Sequence, residues 1–290
     1  MLLWWLLLLG LWAGSLYALV AFGLVLTRAV RGFVNFAHAA VVVAAAYSTY
    51  AVMKWTEGGL SVGIAVGVLV GCGIALVSER LVFRLLYLKG TSPSGLMLVS
   101  LGLLIVVENV IALCFGDQRV AMPVDVQAVS VLGARLTVTQ IVAIAASALL
   151  FVCLAALFQT RLGVRIRAVA NDVDLAATCG LRVDHVILFA TVISGMTGAL
   201  AGILWALDND LTPAMGFRPL LYGLVGAIVG GFRGMAGALL GGLFVGLIGC
   251  CALWILPTQW QDGIVFVILV AFLLLRPEGF FGRQGKKASV

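Results

Sequence analysis

The sequence predicts an all-α fold, a polytopic bundle of eight or nine transmembrane helices with interrupted or re-entrant segments, in a single domain over residues 1–290. Three observations predict it: 63% of the residues are hydrophobic, only 10% are charged, and the mean hydropathy is +1.19. A soluble globule needs more polar surface, and the alternating strands of a transmembrane β-barrel would lower the mean hydropathy. At about 20 apolar residues per crossing, the length allows roughly eight spans.

Nine apolar runs bounded by charged residues are the candidate spans. The first has no basic leader and continues to Leu26, so we expect a retained helix rather than a cleaved signal peptide. Two of the runs are short for a full crossing and fit re-entrant segments or half-helices. In chain order the predicted spans are 2–26, 37–53, 60–78, 95–115, 136–158, 185–207, 219–232, 236–256 and 263–275.

Basic residues predict the orientation of these spans. If the segments alternate, most of the 18 lysines and arginines fall on one side, which the positive-inside rule identifies as the cytoplasm. The C-terminus is then cytoplasmic and the N-terminus external. The net charge of +6 is explained by this asymmetry, without nucleic-acid binding.

Two loops carry patterns of their own. The external loop 116–135 has short alternating stretches, which predict a hairpin that caps the pore, contacts an external partner or simply connects two spans. The cytoplasmic segment 159–184 predicts a short amphipathic helix from Arg165 to Cys179, ended by Gly180. This helix would lie on lipid or dock a soluble partner; its apolar face comprises Ile166, Val169, Ala170, Val173, Ala176 and Ala177.

Glycine and proline interrupt the apolar pattern at 31–40 and at 211–237. Irregular backbone at membrane depth needs protein or a water-filled cavity beside it, and one interruption in each half of a chain is typical of the substrate route in transporters. Glycines spaced four residues apart predict close helix packing. The rows are Gly63, Gly67 and Gly71; Gly198 and Gly202; Gly226, Gly230 and Gly234; Gly237 and Gly241; and Gly242 and Gly246.

Few polar residues remain for chemistry. The sequence has no metal-ligand spacing, no HExxH or Ser-His-Asp pattern and no GxxxxGK[ST] phosphate loop, so we expect no nucleotide hydrolysis by this chain. Glu108 and Asn109 lie well inside a predicted span, where a carboxyl group either lines a pathway or packs against a neighbouring helix. At the first interruption, Asn35 satisfies free backbone groups or lines a pathway, and His38 lines a pathway or bridges helices.

Four stretches, in order along nearly the whole chain, share the pattern of one transporter family. They are Gly14-Ser15-Leu16-Tyr17-Ala18-Leu19 with Gly23-Leu24, Asn35-Phe36-Ala37-His38, Arg167–Asp172 with Ala176, Ala177 and Gly180, and Gly230-Gly231 with Gly237–Gly242 and Arg276–Gly282. Through them the chain resembles the permease subunits of ABC importers for branched-chain amino acids, the LivH/LivM type, to which urea and short-chain amide permeases are close relatives. Ala39 and Ala40 depart from the family pattern, in which Gly-Glu or a similar polar pair commonly follows Asn-Phe-Ala-His.

The resemblance implies a division of labour among several chains. This chain would be a transport subunit rather than an enzyme, in the inner membrane of a bacterium, and would translocate branched-chain amino acids or similar small neutral or zwitterionic solutes inward. It would work with a second permease chain, related or identical, with two cytoplasmic ATPases that hold ATP and Mg²⁺, and with an external substrate-binding protein. No cofactor and no nucleic acid is expected on this chain.

Candidate roles follow for individual residues. The resemblance implies that the segment 165–180 docks into the ATPase, with the coupling residues Arg167, Ala170, Asp172, Asp174, Ala177 and Gly180. The candidate substrate-pathway residues are Asn35, His38, Glu108, Asn109 and Tyr222. Two alternatives stay open: a urea or short-chain amide permease of the same family, and a stand-alone proton-coupled amino-acid carrier with Glu108 as its proton site.

Overall fold

The computed structural model describes residues 2–56, 59–124, 127–131, 134–232, 234–254, 257–276 and 279–280. Apart from one two-stranded hairpin and short 3₁₀ turns, the regular structure of these residues is helical. The helices are α1 (Leu2–Arg31), α2 (Ala37–Trp55), α3 (Leu60–Ser78), α4 (Arg84–Leu88), α5 (Pro93–Phe115), α6 (Val138–Gln159), α7 (Arg161–Asn171), α8 (Val173–Thr178), α9 (Val183–Ala206), α10 (Phe217–Gly230), α11 (Met235–Cys251) and α12 (Gln261–Leu275); the strands are β1 (Ala128–Val131) and β2 (Ala134–Thr137).

Six helical segments in the described part of the chain are long and apolar enough to cross a membrane. They are α1, the continuous helix from α3 through the π-helical turn Glu79–Phe83 to α4, and α5, α6, α9 and α11. Helices α10 and α12 are apolar but shorter. The predicted all-α class is thus confirmed, while the number of crossings, eight or nine, stays a prediction.

Helix α1 forms the centre of the bundle. Other helices bury 83% of its apolar span, against 22% for α3–α4 and 22% for α5. It packs most extensively against α11, and then against α9 and α10, while α2 packs against α3 and α9. The outer helices therefore keep large apolar faces at the surface of the bundle, which suits a lipid environment.

Glycines allow α10 and α11 to approach backbone to backbone. A Cβ built on Gly226 would stand 2.9 Å from the Cα of Gly242, and one on Gly237 would stand 2.6 Å from the carbonyl oxygen of Gly230. Gly241 lies in the same contact, where a Cβ built on it would stand 2.8 Å from the amide nitrogen of Gly230. A larger residue at these positions would push the two helices apart.

Helix α9 approaches α2 in the same way. A Cβ on Gly202 would stand 2.9 Å from the Cα of Val42, and Gly198, one turn earlier, lies against a side chain of α2. These six glycines of the predicted packing rows thus lie at helix contacts that leave no room for a methyl group, whereas nothing lies within 4 Å of a Cβ built on Gly234.

The first interruption lies between α1 and α2. Gly32 follows the end of α1 in a left-handed backbone conformation, with φ +79°. Asn35 Oδ1 accepts a hydrogen bond from the backbone N–H of Ala37 at 3.0 Å, and Ser100 Oγ on α5 accepts one from the backbone N–H of Phe36 at 3.0 Å. Both bonds satisfy N–H groups that the start of a helix leaves free.

The second interruption, between α9 and α10, is longer. Within it Leu211 pairs with Val120 through two backbone hydrogen bonds of 3.1 and 2.8 Å. Helix α10 then has only 14 residues, about 21 Å at 1.5 Å per residue, which is shorter than a membrane core of about 30 Å. The link from α10 to α11 contains Arg233, which lies outside the described residues.

The hairpin predicted within 116–135 is present as the antiparallel pair β1–β2, although Gly133 at its tip lies outside the described residues. Thr137 ends β2 and caps the start of α6. Its hydroxyl and that of Thr139 both donate to Asp208 Oδ1, each at 2.7 Å. These bonds attach the hairpin to the end of α9.

Contacts between helix ends divide these ends into two groups. At one end of the bundle, Arg31 pairs with Glu79 and Arg84 pairs with Asp184, which brings the ends of α1 and α3 beside the start of α9. At the opposite end, the hairpin meets the end of α9. This arrangement agrees with alternating spans, and the assignment of the first end to the cytoplasm stays a prediction.

Candidate functional site

His38 is enclosed at the centre of the bundle, where α1, α2 and α9 meet. Its ring is 2% exposed and lies between two glycines, Gly23 on α1 and Gly198 on α9. Ser194 Oγ lies 3.4 Å from His38 Nδ1 and donates a hydrogen bond to the carbonyl oxygen of Gly23 at 3.0 Å. His38 Nε2 is buried and has no hydrogen-bond partner among the described residues.

Glu108 and Asn109 lie on α5 but point in different directions. Glu108 is half-buried, and its Oε1 is buried without a hydrogen-bond partner among the described residues. Asn109 is exposed, and its Nδ2 donates to the carbonyl oxygen of Ile105 one turn earlier, at 2.7 Å. The amide of Asn109 is therefore bonded within its own helix, whereas the carboxyl oxygen of Glu108 is free to take a partner.

Tyr222 belongs to a polar contact between α10 and α12. Its O–H donates to Asp262 Oδ1 at 2.5 Å, and the same oxygen accepts from Arg218 Nε at 3.0 Å. The ring of Tyr222 packs on Tyr17 of α1, with 4.7 Å between ring centroids. Tyr17 in turn contacts Trp205, which stacks on Trp12 at 5.7 Å.

The five candidate pathway residues do not form one cluster. Glu108 and Asn109 are adjacent in the sequence. Among the described residues, the one hydrogen bond between two of the five is a backbone bond of 3.3 Å, from His38 N–H to the carbonyl oxygen of Asn35. Two of the candidates contact side chains that the sequence pattern did not single out: Ser194 lies beside His38, and Asp262 lies beside Tyr222. Both are far away in the sequence, and no local pattern connects them to their partners.

The segment 159–184, predicted to form one helix from Arg165 to Cys179, contains two helices, so that prediction is wrong in this respect. Helix α7 ends at Asn171, and Asp172 has an extended backbone, with φ −158° and ψ 112°. The Asp172 carboxylate accepts a hydrogen bond from the backbone N–H of Leu175 at 2.9 Å and so begins α8. Aspartate favours this capping position over a helix interior because its side chain competes for backbone N–H groups.

The apolar face of this segment is anchored in the bundle. Ile166, Val169 and Ala176 are buried, in one apolar cluster with residues of α1 and α9. Val173 and Ala170 are half-buried, while Ala177 is exposed.

The opposite face of the segment points outward. Asp174 and Arg167 are exposed, and Leu175 is 62% exposed. The guanidinium of Arg167 donates to the carbonyl oxygen of Phe158 at 2.5 Å, which holds α7 to the end of α6. Gly180 ends the segment as predicted, with φ +81°, a conformation that favours glycine.

Within the described residues, no group of three or more His, Cys, Asp or Glu side chains is arranged to hold a metal ion. The polar side chains of His38, Glu108 and Tyr222 lie on three different helices, α2, α5 and α10. The arrangement offers a bundle with a buried imidazole at its centre, a carboxyl oxygen on α5 that has no hydrogen-bond partner among the described residues, and an anchored amphipathic segment outside the bundle.

Comparisons with known proteins identify the family. A family model for the permease component of branched-chain amino acid transport systems matches residues 6–273. The high-affinity branched-chain amino acid transport system permease protein LivH of Escherichia coli (strain K12) is 27% identical, and BraD of Pseudomonas aeruginosa, of the same description, is 26% identical; each match covers 94% of both chains.

A more distant relative is the autoinducer 2 import system permease protein LsrC of Photorhabdus luminescens, 29% identical over 41% of this chain and 38% of its own. No solved structure matches this chain. Of the closing motif Arg276–Gly282, Pro277, Glu278, Phe281 and Gly282 lie outside the described residues. Because the family model covers most of the sequence, the chain belongs to the branched-chain amino acid transport permease family.

Proposed function

We propose that the chain is the permease subunit of an ATP-driven ABC importer that moves branched-chain amino acids, or similar small neutral or zwitterionic solutes, into the cell. The relatives that match 94% of the chain are branched-chain amino acid permeases, which supports amino acids as the substrate class. They favour this class over urea and short-chain amides, and over a stand-alone proton-coupled carrier.

The α7–α8 segment is the observation that carries the proposal. An importer permease without a phosphate loop needs a surface through which a separate ATPase can move it. Leu175 and Asp174 project from the bundle, while Ile166 and Val169 fix the same segment to α1 and α9. A displacement of the exposed face would pass through these packed side chains to the central helices, because tightly packed elements move as rigid bodies.

The proposed assembly contains a second permease chain, related or identical, two cytoplasmic ATPases with ATP and Mg²⁺, and an external substrate-binding protein. It lies in the inner membrane of a bacterium, with the α7–α8 segment and the C-terminus in the cytoplasm and the N-terminus outside. Rigid-body movement of the bundles would expose the pathway alternately to the two sides. Asn35, His38, Glu108, Asn109 and Tyr222 are the proposed pathway residues.

Reconstitution tests this proposal. The chain, a candidate second permease and the ATPases are placed in liposomes with the binding protein outside, and uptake of radiolabelled leucine is followed with and without ATP in the ATPase compartment. We expect uptake that needs ATP and binding protein and that excess unlabelled isoleucine, but not urea, suppresses. An ATPase variant without its phosphate-loop lysine is the matched control.

Leucine uptake by the purified chain alone under a proton gradient would contradict the importer proposal and support the carrier. Uptake that urea or acetamide suppresses, and that isoleucine leaves unchanged, would move the substrate to the amide class.

A further inference from the structure

Two adjoining clefts at the predicted cytoplasmic end of the bundle are rich in arginine. The first, called the arginine cleft, has a volume of about 130 Å³ and is lined by Arg31, Glu79, Arg80, Arg84, Asp184 and His185. The second, called the α7–α9 groove, has a volume of about 370 Å³ and shares His185 with the first. The two clefts lie where α1, the π-helical turn after α3, α7 and α9 meet.

Positive charge in the arginine cleft is not balanced. Arg31 and Glu79 pair with each other, with side chains 6% and 5% exposed, so their charges cancel inside the protein. Arg84 pairs with Asp184 at 2.7 Å. Arg80 has no ion pair among the described residues, and its guanidinium group leaves N–H donors at the cleft without an acceptor.

The α7–α9 groove adds further positive charge. Arg165 and Arg182 line it, and no acidic side chain of the described residues does. Neither arginine forms an ion pair in the described part of the chain. The two clefts thus present Arg80, Arg165 and Arg182 around the shared side chain of His185.

Apolar side chains flank this charged surface. Leu81 and Leu85, on the turn after α3 and on α4, are 64% and 51% exposed, and Phe189 on α9 is 53% exposed. These helices belong to segments apolar enough to cross a membrane, so the clefts lie at the boundary between the apolar layer and the cytoplasmic surface. A ligand that fills them needs an anionic head and a hydrocarbon chain.

We infer that the arginine cleft binds the phosphate of an anionic phospholipid headgroup, with the rest of the headgroup along the α7–α9 groove and the acyl chains against Leu81, Leu85 and Phe189. Arginine forms paired, charge-assisted hydrogen bonds to phosphate oxygens, and basic pockets between membrane helices bind anionic headgroups. An acidic protein surface offers the same charge, but it has no acyl chain to cover the apolar flank.

The site has a consequence for the α7–α8 segment. Arg165 and Ile166 of α7 form part of the groove wall, so a bound headgroup contacts the helix that the proposed function places at the ATPase. The inference concerns lipid binding and does not depend on that docking.

Lipid binding to the full-length chain, purified in a non-ionic detergent, tests the inference. Native mass spectrometry counts the phosphatidylglycerol molecules retained as the lipid is titrated, with phosphatidylcholine as the zwitterionic comparison. We expect the double variant Arg80→Gln/Arg165→Gln to bind phosphatidylglycerol about tenfold more weakly or worse, since each basic residue near an anionic headgroup contributes substantially. The matched control, Arg119→Gln/Arg135→Gln, removes two exposed arginines at the other end of the bundle and should bind normally.

Equal binding by the cleft variant and the wild type, or an equal loss in the control variant, would overturn the inference. So would displacement of the lipid by millimolar inorganic phosphate, which would identify a site for a free anion. If the cleft variant loses assembly with the ATPases while its lipid binding is unchanged, the cleft is a protein-docking surface instead. Thermal unfolding midpoints check the fold, and the single variant Arg165→Gln repeats the test should the double variant unfold earlier.

Discussion

The ring of His38 occupies the space that a side chain at position 198 would need. Its Cε1 lies 2.6 Å from the position of a Cβ on Gly198, and 2.5 Å from that of a Cβ on Gly23. One side chain from α2 therefore determines which residues fit on the facing surfaces of α1 and α9. Glycine at both positions lets the three helices close around the imidazole.

Replacement of Gly198 by alanine should destabilise the bundle by about 1–3 kcal/mol, because an added methyl group overpacks a filled core. The double variant Gly198→Ala/His38→Ala should recover part of this loss, since the smaller side chain at position 38 makes room for the methyl group. Unfolding in detergent, followed by circular dichroism, measures the free energy of unfolding for each variant of the cycle.

Gly102→Ala on α5 is the control for this cycle, because nothing lies within 4 Å of a Cβ built there. Additive effects of the His38 and Gly198 substitutions would show that the two positions do not contact each other in the membrane protein.

The hydroxyl of Tyr222 should hold α10 to α12. Tyr222→Phe removes the O–H that donates to Asp262, and we expect a loss of about 1 kcal/mol, because the acceptor is charged but more than half exposed. The same unfolding measurement, combined with Asp262→Asn in a double-mutant cycle, gives the energy of this pair. A coupling energy near zero would contradict the role of the hydroxyl, whatever the effect on uptake.

Capping by Asp172 should be needed for tight coupling between ATP hydrolysis and uptake. Asp172→Ala removes the acceptor for the Leu175 N–H and so weakens the start of the six-residue helix α8 by about 1 kcal/mol. We expect the reconstituted importer to hydrolyse ATP while transporting several-fold fewer leucine molecules per ATP.

Asp172→Asn is the matched control, because asparagine caps helices as well as aspartate does. Normal coupling in Asp172→Ala would remove the cap from the mechanism. An equal defect in both variants would show that the charge of Asp172, not its cap, is what the importer needs.

Glu108→Gln tests whether the carboxyl group serves the pathway. The substitution keeps the size of the side chain, so packing on α5 is preserved while the ionisable oxygen is lost. We expect a several-fold lower rate of leucine uptake at unchanged yield of folded protein, because an ionisable group within a span is costly unless it has a function. Asp117→Asn makes the same chemical change at an exposed carboxylate just beyond α5, and normal uptake by Glu108→Gln would assign Glu108 to packing.

Apolar runs predicted where the helices begin, and where most of them end, to within two residues. The end of α1 is an exception. The charges that end the predicted span 2–26 do not end α1, which continues to Arg31. Arg28 stacks on the ring of Phe232 at 3.9 Å, and Arg31 pairs with Glu79. A charged side chain with such a partner is tolerated within a helix that hydropathy alone would terminate.

Hydropathy also does not distinguish a central helix from a peripheral one. The apolar spans of α1 and of α3–α4 both qualify as membrane segments, yet one is mostly buried by protein and the other mostly exposed. The difference lies in contacts with distant helices, which a pattern within one segment does not encode. The same limit applies to the site residues. His38 could be singled out from its local motif, but its neighbour Ser194 could not, because 156 positions separate the two residues in the sequence.

The central position of α1 has a consequence for biogenesis. Its principal neighbours, α9, α10 and α11, are all translated long after it. Small residues on α1, such as Gly14, which faces Leu243 of α11, leave the backbone of α1 poorly covered by its own side chains until these helices are present. During synthesis α1 must therefore stay in lipid or beside the insertion machinery without its final neighbours. The core of the bundle can pack only when the last third of the chain has entered the membrane.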